Sequence, residues 1–317
     1  MAFFRCLFLL LFPVASFAQL TWQNVDSLYG PLRKSVHVYF TDQPVDTGKF
    51  RAFYVIADLK DKKLEFTTDT THKRRLTPSQ FYEKNNQPLV VVNGTFFSFE
   101  TNQNLNAVIK NGKLLSYNQK TAKKRIDDSL RTINIYSSAI GISRKRKADV
   151  AWLSTDSSSR FARAFQWVPS VIKSNIFGAN KFGKLPPDEV NDDRKWKMKT
   201  AIGGGPVLVQ NGEIKITNNE ELKFSGKAIN DKHPRTAMGY TADNKLIILM
   251  VEGRNPDASG ATLPQLAQIL KDLGCVEALN LDGGGSSCLL VNGKETIKPS
   301  DKGGQRAVPA VFIIKGK

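Results

Sequence analysis

The segment Asn280-Leu281-Asp282-Gly283-Gly284-Gly285-Ser286-Ser287 concentrates the chemistry of this chain. An apolar run emits a carboxylate, three glycines follow, and two hydroxyls close the segment. Lacking a Cβ, Gly283, Gly284 and Gly285 can take backbone shapes that other residues forbid, and their N–H groups can approach a bound anion. Ser286 adds a hydroxyl donor. Asp282 is then a candidate nucleophile, base or stabiliser of positive charge. Glu252 ends a second apolar run and offers another carboxylate. Arg235 and Arg254 carry planar forks suited to phosphate or carboxylate, although each taken singly reads equally well as a surface arginine. The second glycine turn, Gly203-Gly204-Gly205-Pro206, taken alone is as readily structural as functional.

Such groups need rigid carriers. Two uninterrupted apolar runs, Leu89–Val92 and Leu246–Val251, read as strands covered on both faces. Each ends in polar, glycine-containing sequence, Asn93-Gly94-Thr95 and Glu252-Gly253-Arg254, as expected of strand ends that present a site. Three Asn-Gly pairs, Asn111-Gly112, Asn211-Gly212 and Asn292-Gly293, sit between β-prone runs and predict tight hairpins, hence antiparallel sheet. Thr262, Pro264 and Gly274 bracket a helix with an apolar stripe of Leu263, Leu266, Ala267, Leu270 and Leu273. A strand over Val276–Leu281 then delivers Asp282. A shorter helix is expected from Thr77-Pro78 to about Asn85. The fold class that follows is α+β: one domain with a largely antiparallel, curved sheet, hairpins and a few packed helices. Doubly wound α/β is the alternative, but regular strand–helix alternation is confined to residues 246–282.

The first 18 residues pair Arg5 with an apolar run and end in Ser16-Phe17-Ala18, the pattern of an exported protein's signal peptide. The run is too short to span a membrane. The expected product is residues 19–317, periplasmic or secreted, without a transmembrane segment. Between about 143 and 199 the chain turns charged and Ser/Pro-rich and reads as a surface excursion. Trp152, Phe161, Phe165 and Trp167 there either pack on the domain or line a sugar subsite. The formal charge of +17 suits anionic partners. No basic tract with interleaved aromatics marks a nucleic-acid groove, so no nucleic-acid partner is expected. The three histidines are dispersed, with no Cys/His spacing for zinc. Cys275 and Cys288 can form a disulfide after export or remain free thiols.

Six segments in order resemble the phosphodiester glycosidases: Asn93-Gly94-Thr95-Phe96-Phe97, Gly204-Gly205-Pro206, Pro234-Arg235-Thr236-Ala237, Glu252-Gly253-Arg254, Asn280–Ser286 and Arg306-Ala307-Val308-Pro309. Thr95 stands where that family usually has Gly, and Glu252 where it usually has Asp. The resemblance implies hydrolysis of the bond between a sugar anomeric carbon and a phosphodiester oxygen, releasing free sugar and a phosphate monoester. It implies Asp282 as the central carboxylate with Glu252 as the second. Arg235, Arg254 and Arg306, with Thr236 and the N–H groups of Gly283–Gly285, would bind the phosphate beside the Gly204-Gly205 turn. Asn93 and Ser286 would bind sugar hydroxyls, and Phe96 would cover a sugar face or pack in the core. No cofactor is required by the sequence, and a divalent cation on Asp282, Glu252 and Asn93 is compatible with it. Two rivals follow: a metal-dependent phosphodiesterase cutting P–O, and a non-catalytic binder of anionic envelope glycans.

Overall fold

The computed structural model describes residues 19–46, 48–126, 129–169 and 194–316. The expected leader, residues 1–18, and residues 170–193 of the expected excursion lie outside them.

The three Asn-Gly pairs make the turns their chemistry demands. Each has positive φ at both positions, from 47° to 53° at Asn and 77° at Gly. They join Val108–Lys110 to Lys113–Ser116, Val207–Gln210 to Glu213–Ile214, and Leu289–Val291 to Lys294–Glu295. Among the described residues the strand ladders are antiparallel. The fold class is therefore the expected α+β, not the doubly wound alternative.

An eight-stranded sheet runs in space through Gln23–Asn24, Val36–Thr41, Ala52–Asp58, Lys245–Val251, Arg235–Thr241, Cys275–Asn280, Val207–Gln210 and Glu213–Ile214. A five-stranded sheet runs through Lys294–Glu295, Leu289–Val291, Val90–Asn93, Ala310–Gly316 and Leu64–Thr70. A seven-stranded sheet places Ala148–Ser154 and Met198–Gly203 on either side of Ser137–Ser143. Side chains from all three meet in one core that includes Val55, Val92, Ile140, Trp152, Ile202, Ile248 and Phe312.

The period of two then explains the apolar runs. Leu246, Ile248 and Met250 enter that core, while Ile247, Leu249 and Val251 face a second one under the helix Leu263–Asp272. Val90 and Val92 likewise enter the central core, and Val91 packs with Phe81 of the helix Pro78–Lys84. Both helices begin with a reciprocal capping box, Thr77 with Gln80 and Thr262 with Gln265. These caps satisfy amides that the first turn would leave bare. Leu266 and Leu270 are fully buried, each contributing roughly 1.5–3 kcal/mol.

Two expectations are revised. The stretch after Ser143 is not wholly a surface excursion, because Ala148–Ser154 is an interior strand and Trp152 lies in the central core. Phe165 is buried there too, so these two aromatics pack rather than line a sugar subsite. Cys275 and Cys288 are buried and free.

Candidate active site

Strand ends from the three main sheets converge on Asp282. The amide of Asp282 donates to the Gly94 carbonyl (3.0 Å), that of Leu281 to Thr236 (2.8 Å), and that of Gly284 to Pro234 (2.8 Å). The amide of Gly205 donates to the Asn280 carbonyl (2.7 Å). Residues scattered from 93 to 284 in sequence are thereby fixed in one place.

The glycines serve as seats for arginines. Gly284 has φ +61°, which a side chain would strain, and its missing Cβ would lie 3.2 Å from Arg254 Nη1. At Gly285 a Cβ would collide with Arg306 Nη2, so the guanidinium rests directly on the bare Cα. The loop thus carries a carboxylate at its start and two guanidinium groups along its flank. Arg306 is aimed by Asp301, which accepts from its Nε (3.1 Å) and Nη2 (2.8 Å). Arg254, itself at φ +62°, is steadied by His233 Nδ1 at 3.2 Å. Burial and the charges of Arg235 and Arg254 lower the His233 pKa, favouring the neutral ring.

Asp282 is half-buried. Loss of water is the dominant influence on its carboxyl and pushes the pKa up to about 7, against the opposing pull of Ser286, Arg306 and the Gly283 amide. A carboxyl in that range can take up or give up a proton near neutral pH.

Several residues expected to touch substrate do different work. Asn93 is 0% exposed. Its Nδ2 donates to the Asp282 carbonyl (2.6 Å), and its Oδ1 accepts from Thr236 Oγ1 (3.0 Å) and the Cys288 amide (3.1 Å). Asn93 and Thr236 clamp the Asp282 loop from below rather than facing a sugar. Arg235 is only 3% exposed, with Nε on the Ala261 carbonyl (3.0 Å) and Nη2 on those of Ala228 (3.2 Å) and Asp231 (3.0 Å). Burial, reinforced by Arg254, lowers its pKa to about 10. It braces the wall behind Arg254 instead of reaching out as Arg306 does. Glu252 is also committed elsewhere: Asn255 Nδ2 donates to its Oε1 (2.8 Å), and Arg51 Nε lies 3.5 Å from its Oε2. These partners, rather than any group of the Asp282 loop, hold the Glu252 carboxylate. Asn93 and Glu252 are likewise not free to complete a cation site with Asp282. Among the described residues no group of three His, Cys, Asp or Glu side chains is placed to hold a metal ion.

On the other side, Gly204 abuts the Asn280 carbonyl, and Gly205 abuts Glu221 and Lys223. Phe96 is half-buried and meets Phe224 edge-on at 5.9 Å. These neighbours were not anticipated from sequence. Glu221 is fully buried and accepts from the Ser138 amide and hydroxyl, Trp152 Nε1, the Val207 amide and Thr217 Oγ1. Lys223 Nζ lies 5.5 Å over the Phe96 ring and donates to Ser137 Oγ (2.8 Å). Burial pulls its pKa down to about 8. The only sequence-level hint was a charged pair, Glu221 and Lys223, close after a hairpin.

A family model for phosphodiester glycosidases matches residues 86–315. The chain belongs to that family. Its members include enzymes, and the matched span contains every residue of the Asp282 loop and its flanking arginines. Over 86 residues the chain is 44% identical to the SPbeta prophage-derived uncharacterized protein YomE of Bacillus subtilis, covering 27% of this chain and 13% of that one. Over 212 residues it is 26% identical to mouse N-acetylglucosamine-1-phosphodiester alpha-N-acetylglucosaminidase, covering 56% of this chain and 41% of the enzyme. The chain thus spans less than half the length of these curated relatives. The same fold is seen in the catalytic domain of the zebrafish enzyme of that name, with TM-score 0.59, 22% identity, and coverage of 94% of this chain and 89% of that one. A hypothetical protein from Synechocystis gives TM-score 0.60 at 17% identity, covering 93% and 63%. No helix among the described residues is long and apolar enough to cross a membrane.

Proposed function

We propose that this protein is an exported hydrolase that cleaves the bond between a sugar anomeric carbon and the phosphate oxygen of a sugar-1-phosphate diester. The observation that carries the reading is the pairing of one carboxylate with two seated guanidinium groups on a single loop: Asp282, then Arg254 over Gly284 and Arg306 over Gly285.

The chemistry needs little else. A phosphate monoester leaves readily, so its oxygen requires positive charge more than a proton donor. Arg254 and Arg306 supply that charge at fixed positions. The positive charge that develops at the anomeric carbon needs an ionised carboxylate, or a water deprotonated by one. Asp282 fills this role, and one such group suffices because the leaving group dispenses with the usual acid partner. That is consistent with a site in which Glu252 is held by Asn255 and Arg51. Ser286 helps ionise the Asp282 carboxyl, Phe96 with Phe224 forms an apolar wall for the sugar, and the Gly204-Gly205 turn closes the floor. The leader expected over residues 1–18 and the positive charge support a location outside the cytoplasm, among anionic envelope glycans.

The test is product identity. The purified protein is given a panel of sugar-1-phosphate diesters in water enriched in oxygen-18. The expected products are free sugar carrying the label and an unlabelled phosphate monoester. Sugar-1-phosphate as product, with label on phosphorus, would instead establish P–O cleavage and overturn the proposal.

A further inference from the structure

Beyond Arg306 the surface continues in a direction that the cleavage reaction itself does not use. The Asp282 loop seats Arg306, whose guanidinium also lies 5.3 Å from the centre of the Phe99 ring. Phe99 is 63% exposed, a large cost in apolar surface for a residue with no core to fill. It sits at the tip of a loop closed by the Ser98 amide on the Gln103 carbonyl (3.0 Å) and by a bridge between Phe97 and Asn104. Arg75 covers this tip, with its guanidinium 5.4 Å from both the Phe97 and Phe99 rings.

Behind the same loop runs a groove of about 470 Å³. Asn104 forms its base, with Nδ2 donating to Thr70 Oγ1 (2.9 Å). His72 and Lys73 line one part of it and Leu115 and Tyr117 another, the latter two among the chain's exposed large apolar side chains. No acidic residue is among those lining it. Lys73 is held at φ +51°, and among the described residues neither Lys73 nor Arg75 has a carboxylate partner. Exposed rings and two cations without a carboxylate partner, Arg75 and Lys73, leading away from Arg306 suit a ligand with alternating charge and apolar or sugar faces.

We propose that the Phe99 tip and the Lys73–Tyr117 groove bind the leaving-group side of a substrate that continues past the scissile phosphate as a polyanionic chain. This rests on the cleavage reading above, since it takes Arg306 as the end of the path nearest the reacting phosphate. The scissile sugar and phosphate occupy the Asp282 loop. The next unit stacks on Phe99, and a further anionic group reaches Lys73.

Three substrates with the same sugar, chosen as the best in the panel above, test this. One is a methyl phosphodiester, one carries a long neutral leaving group, and one carries a leaving group of equal length with two further phosphodiesters. The full chain is expected to favour the polyanionic substrate, mainly through a lower KM, with the preference shrinking as salt rises. Lys73→Gln should cost about fivefold in kcat/KM on that substrate, the scale of one exposed charge contact, and leave the methyl diester unchanged. Phe99→Ala should raise KM for both long substrates. Equal rates on the neutral and polyanionic leaving groups, or equal losses for Lys73→Gln on all three, would overturn the groove assignment while leaving cleavage intact. Release of sugar from none of them would overturn the cleavage reading and the groove with it.

Discussion

Replacing Asp282 by Asn separates catalysis from stability in a way that only a desolvated carboxylate would produce. Burial raises the Asp282 pKa from the usual 3.8 to about 7. Three pKa units correspond to about 4 kcal/mol of preference for the neutral acid. Water in the half-open site relaxes part of this, so about 2 kcal/mol is the working figure near pH 8. Below about pH 4 the group is protonated in both the folded and the unfolded chain, and the penalty is absent. The penalty grows as the unfolded chain ionises and is complete once the pH passes the folded value near 7. Asn keeps the shape and the acceptor but never ionises. Asp282→Asn should therefore melt roughly 3 °C higher than wild type at pH 8. The gap should narrow steadily as the pH is lowered to about 4.5. In the same protein kcat should fall by at least about 10³-fold, and the wild-type rate should climb with pH through about 7 as the carboxylate forms. Thermal melts across pH, run beside the diester assay, give both readings. A variant that melts lower than wild type at pH 8, or whose melting difference does not change with pH, would refute the desolvation argument. Near-normal turnover would refute the role assigned to Asp282.

Three further expectations concern the groups around it. Gly285→Ala places a Cβ on the Arg306 guanidinium and should lower kcat/KM on phosphodiesters about 100-fold while shifting the melting temperature little, as read by steady-state kinetics and a thermal melt. Arg235→Met removes the donor to the buried Ala261 carbonyl and to the partly buried ones of Ala228 and Asp231, so its main effect should be a loss of roughly 2 kcal/mol in denaturant unfolding. A variant as stable as wild type but unable to bind phosphodiesters would make Arg235 a ligand group after all. Glu252→Gln should retain turnover within about tenfold, because its carboxylate is engaged by Asn255 and Arg51. A loss as deep as that of Asp282→Asn would restore Glu252 as a second catalytic carboxylate.

What could be read from sequence is what local geometry decides. Asn111-Gly112 and its two counterparts dictate their turns because few other pairs accept positive φ twice running. Thr77 with Gln80 and Thr262 with Gln265 satisfy their helix starts within four residues of chain. The valines of Val90–Asn93 announce burial on both faces by their lack of alternation. The Asp282 loop stood out for the same local reason, a carboxylate followed by residues without side chains. The remainder of the site was hidden because its causes are remote. Arg235 was expected to hold phosphate, yet the carbonyls that claim it come from loops whose path the residue itself cannot reveal. Asn93 is claimed by Asp282, Thr236 and Cys288, all more than 140 positions away. Glu252 is neutralised by Arg51, which only the pairing of Lys245–Val251 with Ala52–Asp58 brings near. Trp152 lay in a charged, serine-rich stretch, and its burial depends on the Glu221 hub 69 positions on.

The Asn93 clamp also determines how this protein can be dismantled. Its side chain ties the end of a five-stranded-sheet strand to the Asp282 loop and, through Thr236, to the eight-stranded sheet. The Asp282 loop is therefore stapled across a seam between two layers rather than hung from one edge. Neither layer can breathe away from the other without tearing it. The amides of Leu281 and Asp282, hydrogen-bonded across that seam, should exchange with solvent only when the whole molecule opens. If Asp282 is the working carboxylate, heat inactivation and global unfolding should then coincide as a single event.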